Sequence, residues 1–262
     1  MYHVREILCS PKNPQRIGDF QGQSLEFPSH KLQFMGVIVL VTIKSKREIE
    51  LMREAGRIAC LAQKEIEKAI RPGISTFELD KIAEDVIRAN GGIPAEKGYP
   101  SGIKGIPDFP GSICASVNDE VIHGIPSKRA VLKNGDIISI DLVAYKNGFH
   151  GDCARTYIVG ETSEDIKRLV NITRQAFFEG IKFAKKGNRL GDISHAIGNF
   201  VENNGYSVVR EFQGHGIGAR MHEDPGIPNY RKAWKRDKIR TWDDTCNRTN
   251  GYYGKTRYIT IR

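Results

Sequence analysis

Apolar positions recur along this chain at helical spacing, then give way to short strand-like runs, and the alternation happens twice. From Ser45 onward, Ile49, Met52, Ile58, Ala59, Ala62 and Ile66 follow one another at the spacing of one helix face, until Pro72-Gly73 stops the pattern. Ser45-Lys46-Arg47-Glu48 reads as a capping box at its start. A second capping box, Ser75-Thr76-Phe77-Glu78, opens a helix carrying Leu79, Ile82, Ala83 and Ile87, which ends at Gly91-Gly92. A loop rich in Gly and Pro follows from Tyr99 to Gly111. The short strand Ser112 to Val117 comes next, then the segment Asn118 to Pro126.

The stretch Ile137 to Ile158 predicts a β-hairpin. Ile137, Ile138, Ile140, Leu142 and Val143 form one apolar strand, and Thr156, Tyr157 and Ile158 close the other. Asn147-Gly148 between them suits a two-residue type I′ turn. With that loop, Lys146 faces Phe149, Val143 faces Asp152 and Asp141 faces Ala154. Asp141 and Asp152 then share one face as diagonal neighbours, roughly 7–8 Å apart at the backbone. Two carboxylates held so close among apolar residues call for a proton or a cation between them. The alternative is a pair of solvated hairpin carboxylates, because a one-residue change in the loop reverses the facing.

The order then repeats. Ser163 to Lys185 reads as an amphipathic helix through Ile166, Leu169, Val170, Ile172, Ala176, Phe177 and Ile181, closed by Gly187. Ile193 to Asn203 predicts a shorter helix, Ser207 to Phe212 a strand, and Gly214-His215-Gly216-Ile217-Gly218 follows. Two rounds of helix, helix and strands at a spacing of about 120 residues predict an α+β domain of two similar halves, with a site between them. Residues 1–42, punctuated by Pro11, Pro14, Gly18, Gly22 and Pro28, are expected to be a poorly ordered extension. One reading makes them upstream sequence translated from a start codon ahead of Met35.

At 262 residues the chain has ample material for a core. Its longest apolar run, Met35 to Ile43, is about half of what a bilayer requires, and no signal peptide is legible. Five cysteines, odd in number and without a CxxC pair, point to thiols of a reducing compartment. The net charge of +9 would suggest nucleic acid, but its location argues against that. The last 32 residues hold ten Lys and Arg against three Asp, so +7 of the +9 lies there.

His123, His215 and His222 stand beside glycines or in turn-rich segments. Each taken singly reads as readily as a loop or core histidine. With Asp141 and Asp152 they make a set suited to a divalent metal pair, since carboxylates can bridge two ions and a neutral imidazole completes one.

The segments IKSKREIELMREAGRIA, SICASVNDEVIHGIP, IISIDLVAYKNGFHGDCARTYIVG and GHGIGARMHEDPGIPNY resemble type I methionine aminopeptidases over about Ile43 to Tyr230. The resemblance implies the pita-bread fold and removal of the initiator methionine from nascent peptides. It further implies hydrolysis at two divalent metal ions (Co, Mn, Fe or Zn) by a cytoplasmic monomer working near the ribosome. By position it implies that Asp141 chelates one ion, Asp152 bridges both and His215 binds the other. His222 would donate a hydrogen bond to the scissile carbonyl, and His123 would contact the substrate backbone. Tyr99, Cys114 and Met221 fall at positions of the methionine pocket, although Cys114 and Met221 read equally as core. Cys60 and Cys153 are expected in the core.

The family's remaining two ligands are glutamates in GMTxxIEPM and YEHT segments, and neither segment is present; no Glu follows Glu223. Back-translating Trp234 to Lys255 with one nucleotide dropped permits GKEIKLGPGMTLAIEPMVTMG, so a frameshift near residues 231–234 is expected. Residues 231–262 are then an aberrant basic tail, the final strands are incomplete and activity is impaired. Two alternatives stand beside this: an X-Pro aminopeptidase of the same fold, and an inactive ribosome- or RNA-binding relative.

Overall fold

The computed structural model describes residues 41–230 and Ile239. Expectations for residues 1–40 and, Ile239 apart, for the basic tail lie outside the described residues. Both capping boxes form. Ser45 accepts from the Glu48 amide while the Glu48 carboxylate accepts from Ser45 N at 2.7 Å, starting α1 (Lys46–Ala69). Ser75 and Glu78 do the same at 2.9 Å for α2 (Thr76–Ala89). Each box satisfies donors that a helix start otherwise leaves without a partner.

The strands of the first half are β1 (Ile93–Pro94), β2 (Cys114–Val117), β3 (Ile137–Lys146) and β4 (Phe149–Ile158). All pair antiparallel on β3. Strand β3 is ten residues long, so one of its edges takes β2 along Ile138–Asp141 and β1 along Ala144–Tyr145, while β4 fills the other. The β3–β4 turn carries Asn147 at φ 52° and Gly148 at φ 88°, the left-handed pair that type I′ requires. The register is the expected one: Lys146 opposite Phe149, Val143 opposite Asp152, Asp141 opposite Ala154.

Helices α1 and α2 cover this sheet through Ile58, Ile66, Leu79, Ile87, Ile138, Ile140 and Leu142, all fully buried. One polar side chain sits among them. Gln63 donates to Ile140 O (3.0 Å) and Cys153 O (2.8 Å) and accepts from Tyr157 OH (2.9 Å), tying α1 to both hairpin strands.

The second half has its own core. Helices α3 (Glu164–Ile181) and α4 (Leu190–Asn203) pack through Ile172, Ala176, Ile193, Ile197 and Val201, joined by Ile227 and Ile239. Ile239 N also donates to Asn188 O at 2.8 Å, which docks that one residue of the basic tail here. The strands of this half are β5 (Gln213–Gly216) and β6 (Glu223–Pro228), a two-stranded sheet among the described residues. The strand expected over Ser207 to Phe212 is irregular. Strand β6 reaches back only as far as Gln213, so the preceding residues find no strand partner in it and lack the ladder that defines a strand.

Several contacts cross to the second half among the described residues. His150 N donates to Gly218 O at 2.9 Å, Lys44 Nζ lies 2.5 Å from Glu223 Oε2, and Thr42 Oγ1 donates to the same carboxylate at 3.1 Å.

Candidate metal centre

Asp141 lies mid-way along β3 and Asp152 near the start of β4, and each is only 3% exposed. Their register places them diagonally on one face, so the solvated alternative is excluded: both carboxylates are buried. Two ionised groups out of water and near one another are costly unless a cation accompanies them.

His215 comes from β5. Its Nδ1 lies 2.7 Å from Gly216 O, and a carbonyl can only accept, so Nδ1 carries the proton and the lone pair sits on Nε2. A backbone carbonyl that sets the tautomer in this way is the usual support for a metal-binding imidazole. Its ring packs against that of His222 with centroids 4.4 Å apart, and His222 Nδ1 lies 3.0 Å from Tyr99 OH. Loop Tyr99 to Gly111 of the first half thus meets the β5–β6 connection of the second. The His150–Gly218 bond brings the start of β4, two residues before Asp152, to the segment just after His215.

His123 sits at φ 57° in an exposed turn beside β2, where Ala115 N donates to Gly124 O at 2.8 Å. Met221 is buried and Tyr99 exposed. Cys60, Cys114 and Cys153 carry thiols, not disulfides. Cys114 and Cys153 are buried, and Cys60 is half-buried at the edge of the first core.

Three residues of consequence have no sequence signal. Glu96, buried just after β1, lies with Cys114 and Asp141 so that one ligand atom from each falls within 4.8 Å of the others. Asp80 of α2 accepts from Ser112 N (2.6 Å) and Ile113 N (3.1 Å), anchoring the entry to β2; burial pushes its carboxyl above the usual range despite those bonds. Glu223 is also desolvated, but the Lys44 ammonium and the Arg220 amide (3.1 Å) prevail and hold its carboxyl below the usual value. None of the three stands out in sequence: Glu96 sits in a Gly/Pro-rich stretch, Asp80 two residues after Glu78 and Glu223 beside Asp224, and only the tertiary pairing gives each its partner.

Buried carboxylates with an imidazole offering Nε2 are donors that fit a divalent ion of the Mn, Fe, Co or Zn type. A model of metallopeptidase family M24 matches residues 50–246, from early α1 past Tyr230.

The chain belongs to metallopeptidase family M24.

It is 53% identical over 201 residues to methionine aminopeptidase 1 of Bacillus subtilis, covering 77% of this chain and 78% of that one. It is 50% identical over 200 residues to a methionine aminopeptidase of Clostridium acetobutylicum, covering 76% and 77%. The crystal structure of methionine aminopeptidase from Thermotoga maritima superposes with a TM-score of 0.73 at 42% identity, covering 77% of this chain and 78% of that one. The α+β arrangement of two helix-helix-sheet halves is therefore the pita-bread fold of the M24 peptidases. Membership of a metallopeptidase family implies a divalent metal ion.

Proposed function

We propose that this M24 chain is an exopeptidase that hydrolyses the N-terminal methionine from peptides, with two divalent ions (Co, Mn, Fe or Zn) at Asp141, Asp152 and His215. The observation that carries the reading is the buried Asp141–Asp152 pair on one hairpin face, in a chain whose relatives are methionine aminopeptidases. When bound, such ions supply Lewis acidity, polarising a peptide carbonyl and lowering the pKa of water. Asp141, Asp152 and His215, the last through Nε2, would hold the ions. His222 donates to the oxygen of the scissile carbonyl as negative charge develops there. With Nδ1 of His222 engaged by Tyr99, the ring's other nitrogen makes that bond. His123 contacts the substrate backbone. Tyr99, Cys114 and Met221 line the place of the methionine side chain, where a polarisable thiol and thioether suit a thioether ligand.

Nascent chains near the cytoplasmic ribosome are the natural substrates in this reading, and the enzyme acts as a monomer. Among the described residues no helix is long and apolar enough to cross a membrane. The two C-terminal glutamates of type I enzymes have no counterpart after Glu223. One of them is the general base, so turnover by this chain is low.

The test is metal content by mass spectrometry together with methionine release from a Met-Ala peptide and proline-site cleavage of an X-Pro peptide. Expected are bound metal that falls in Asp152→Ala, methionine release close to background, and no X-Pro cleavage. Brisk release that Asp152→Ala abolishes would overturn the impairment. Preference for the X-Pro peptide would overturn the substrate. Metal-free wild-type protein would overturn the centre and favour a binding role.

A further inference from the structure

Helix α1 runs beside β4 in matching register, and one cysteine from each meets the other there. Gly151 begins the contact: a Cβ added to it would lie 2.5 Å from Gly56 Cα. One carbon–carbon bond adds about 1.5 Å, so the two Cα atoms stand within about 4 Å of each other. Two residues along a strand span about 6.8 Å, and four residues along a helix about 6 Å. Those steps lead from Gly151 to Cys153 and from Gly56 to Cys60. Both elements advance in the same direction, because Gln63, further along α1, donates to Cys153 O and accepts from Tyr157 OH, further along β4.

The two thiols are hydrogen-bonded to each other. A disulfide requires Cα atoms about 4.4–6.8 Å apart, and the glycine contact one helical turn earlier supplies an approach that close. The partners differ in access. Cys153 is fully buried, and Cys60 is half-buried at the edge of the first core. The bond from Cys153, followed by the Arg155 and Lys64 cations, holds the Cys60 thiol at about 7 against the effect of burial. Access and thiolate character together make Cys60 the attacking sulfur. Neither cysteine has a part in the peptidase chemistry.

We propose that Cys60 and Cys153 form a reversible redox pair that takes a low-molecular-weight disulfide, such as oxidised glutathione, as its oxidant and closes a disulfide between α1 and β4. The Cys60 thiolate attacks one sulfur of the oxidant, forming a mixed disulfide and expelling one thiolate. The Cys153 sulfur then attacks the Cys60 sulfur, and the second thiolate leaves. The pair gives up two electrons to the oxidant, and the two protons that the cysteines release are taken up by the two leaving thiolates. In a reducing compartment such a bond is transient, because excess thiol reverses both steps. Cys153 follows Asp152, so the closed bond pins to α1 the strand that carries that carboxylate. The pair stands on its own geometry and does not require the peptidase reading.

Oxidised glutathione added to the purified full chain near neutral pH, followed by non-reducing peptide mapping in a mass spectrometer, tests the pair. The expected product is two peptides joined through Cys60 and Cys153, lighter by two hydrogens than the separate thiol peptides and parted again by dithiothreitol. Buried Cys114 stays a thiol. Cys153→Ala loses the link and accumulates the glutathione adduct on Cys60. Cys60→Ser leaves Cys153 unmodified, because no accessible neighbour carries the glutathione to it. Circular dichroism shows whether each variant is folded, and the wild-type result decides the matter even where a variant is not. A wild-type chain that stays unmodified, stops at the Cys60 adduct or links Cys60 to any other cysteine overturns the pair. Glutathione on Cys153 in folded Cys60→Ser overturns it as well. None of these measurements needs bound metal or peptide turnover, so failure of the pair leaves the peptidase reading standing, and the converse holds.

Discussion

Replacing Gly151 by Ala tests how closely the candidate site is built against α1. Gly151 lies on β4 next to Asp152, and its Cα faces the backbone of α1 at Ala55 and Gly56. A Cβ added there would lie 2.5 Å from Gly56 Cα and nearer still to Gly56 N and Ala55 C. Ordinary carbon contacts are about 3.5–4.0 Å, so helix and strand must part by about 1 Å. The obstacle is backbone on both sides, and no rotamer relieves it. Neighbouring contacts through Ala55, Ile58, Ala59 and Ala62, all fully buried, loosen with it. Overpacking of this kind costs about 1–3 kcal/mol. For a domain of this size that lowers Tm by about 2–12 °C. Gly56→Ala makes the opposite change across the same contact. Nothing lies within 4 Å of its added Cβ, and Ala is favoured over Gly inside a helix by about 0.5–1 kcal/mol. Thermal melting by circular dichroism should therefore place Gly151→Ala below the wild type and Gly56→Ala above it. Because Asp152 moves with its neighbour, Gly151→Ala should also bind metal more weakly than Gly56→Ala. A Gly151→Ala protein that melts with the wild type would refute the close helix–strand approach and the positioning argument built on it.

Three further outcomes follow from particular contacts. Asp80→Ala should cost about 1–3 kcal/mol by stranding the amides of Ser112 and Ile113, whereas Asp80→Asn, which still accepts, should cost much less; chemical denaturation compares them. The Glu223 carboxyl titrates below its usual 4.5 in the fold, so its stabilising tie to Lys44 is present above that value and lost as pH falls through the lower folded value. The Tm difference between wild type and Glu223→Gln should accordingly shrink on going from about pH 7 to about pH 3. The half-buried Cys60 thiol, held to about 7 by its hydrogen bond with Cys153 against the effect of burial, should be alkylated by iodoacetamide at neutral pH before the buried Cys114. Cys153→Ala should slow that reaction, as peptide mapping would show.

Much of this molecule was legible locally. Ser45 with Glu48, and Ser75 with Glu78, mark the two helix starts because a capping box lies wholly within four residues. Asn147-Gly148 sets the hairpin register, and that register alone puts Asp141 and Asp152 on one face. Burial of that face, which separates a metal centre from a solvated pair, is not written in the hairpin: α1 and α2 pack on the opposite face, over Ile138, Ile140 and Leu142, and Asp141 and Asp152 are buried only in the folded whole. The strand expected at Ser207 to Phe212 failed for a related reason: its apolar residues were visible in sequence, but its pairing partner was not. Glu96 joins Cys114 and Asp141 because β1 and β2 share one edge of β3, and Tyr99 reaches His222 across the two halves. Glu223 likewise finds Lys44 far away along the chain. Periodicity and turn chemistry act over a few residues, so sequence alone determined the elements and the facing of the aspartates. Which distant groups meet depends on the packing of the whole chain, so only the tertiary structure decided the surroundings of the site.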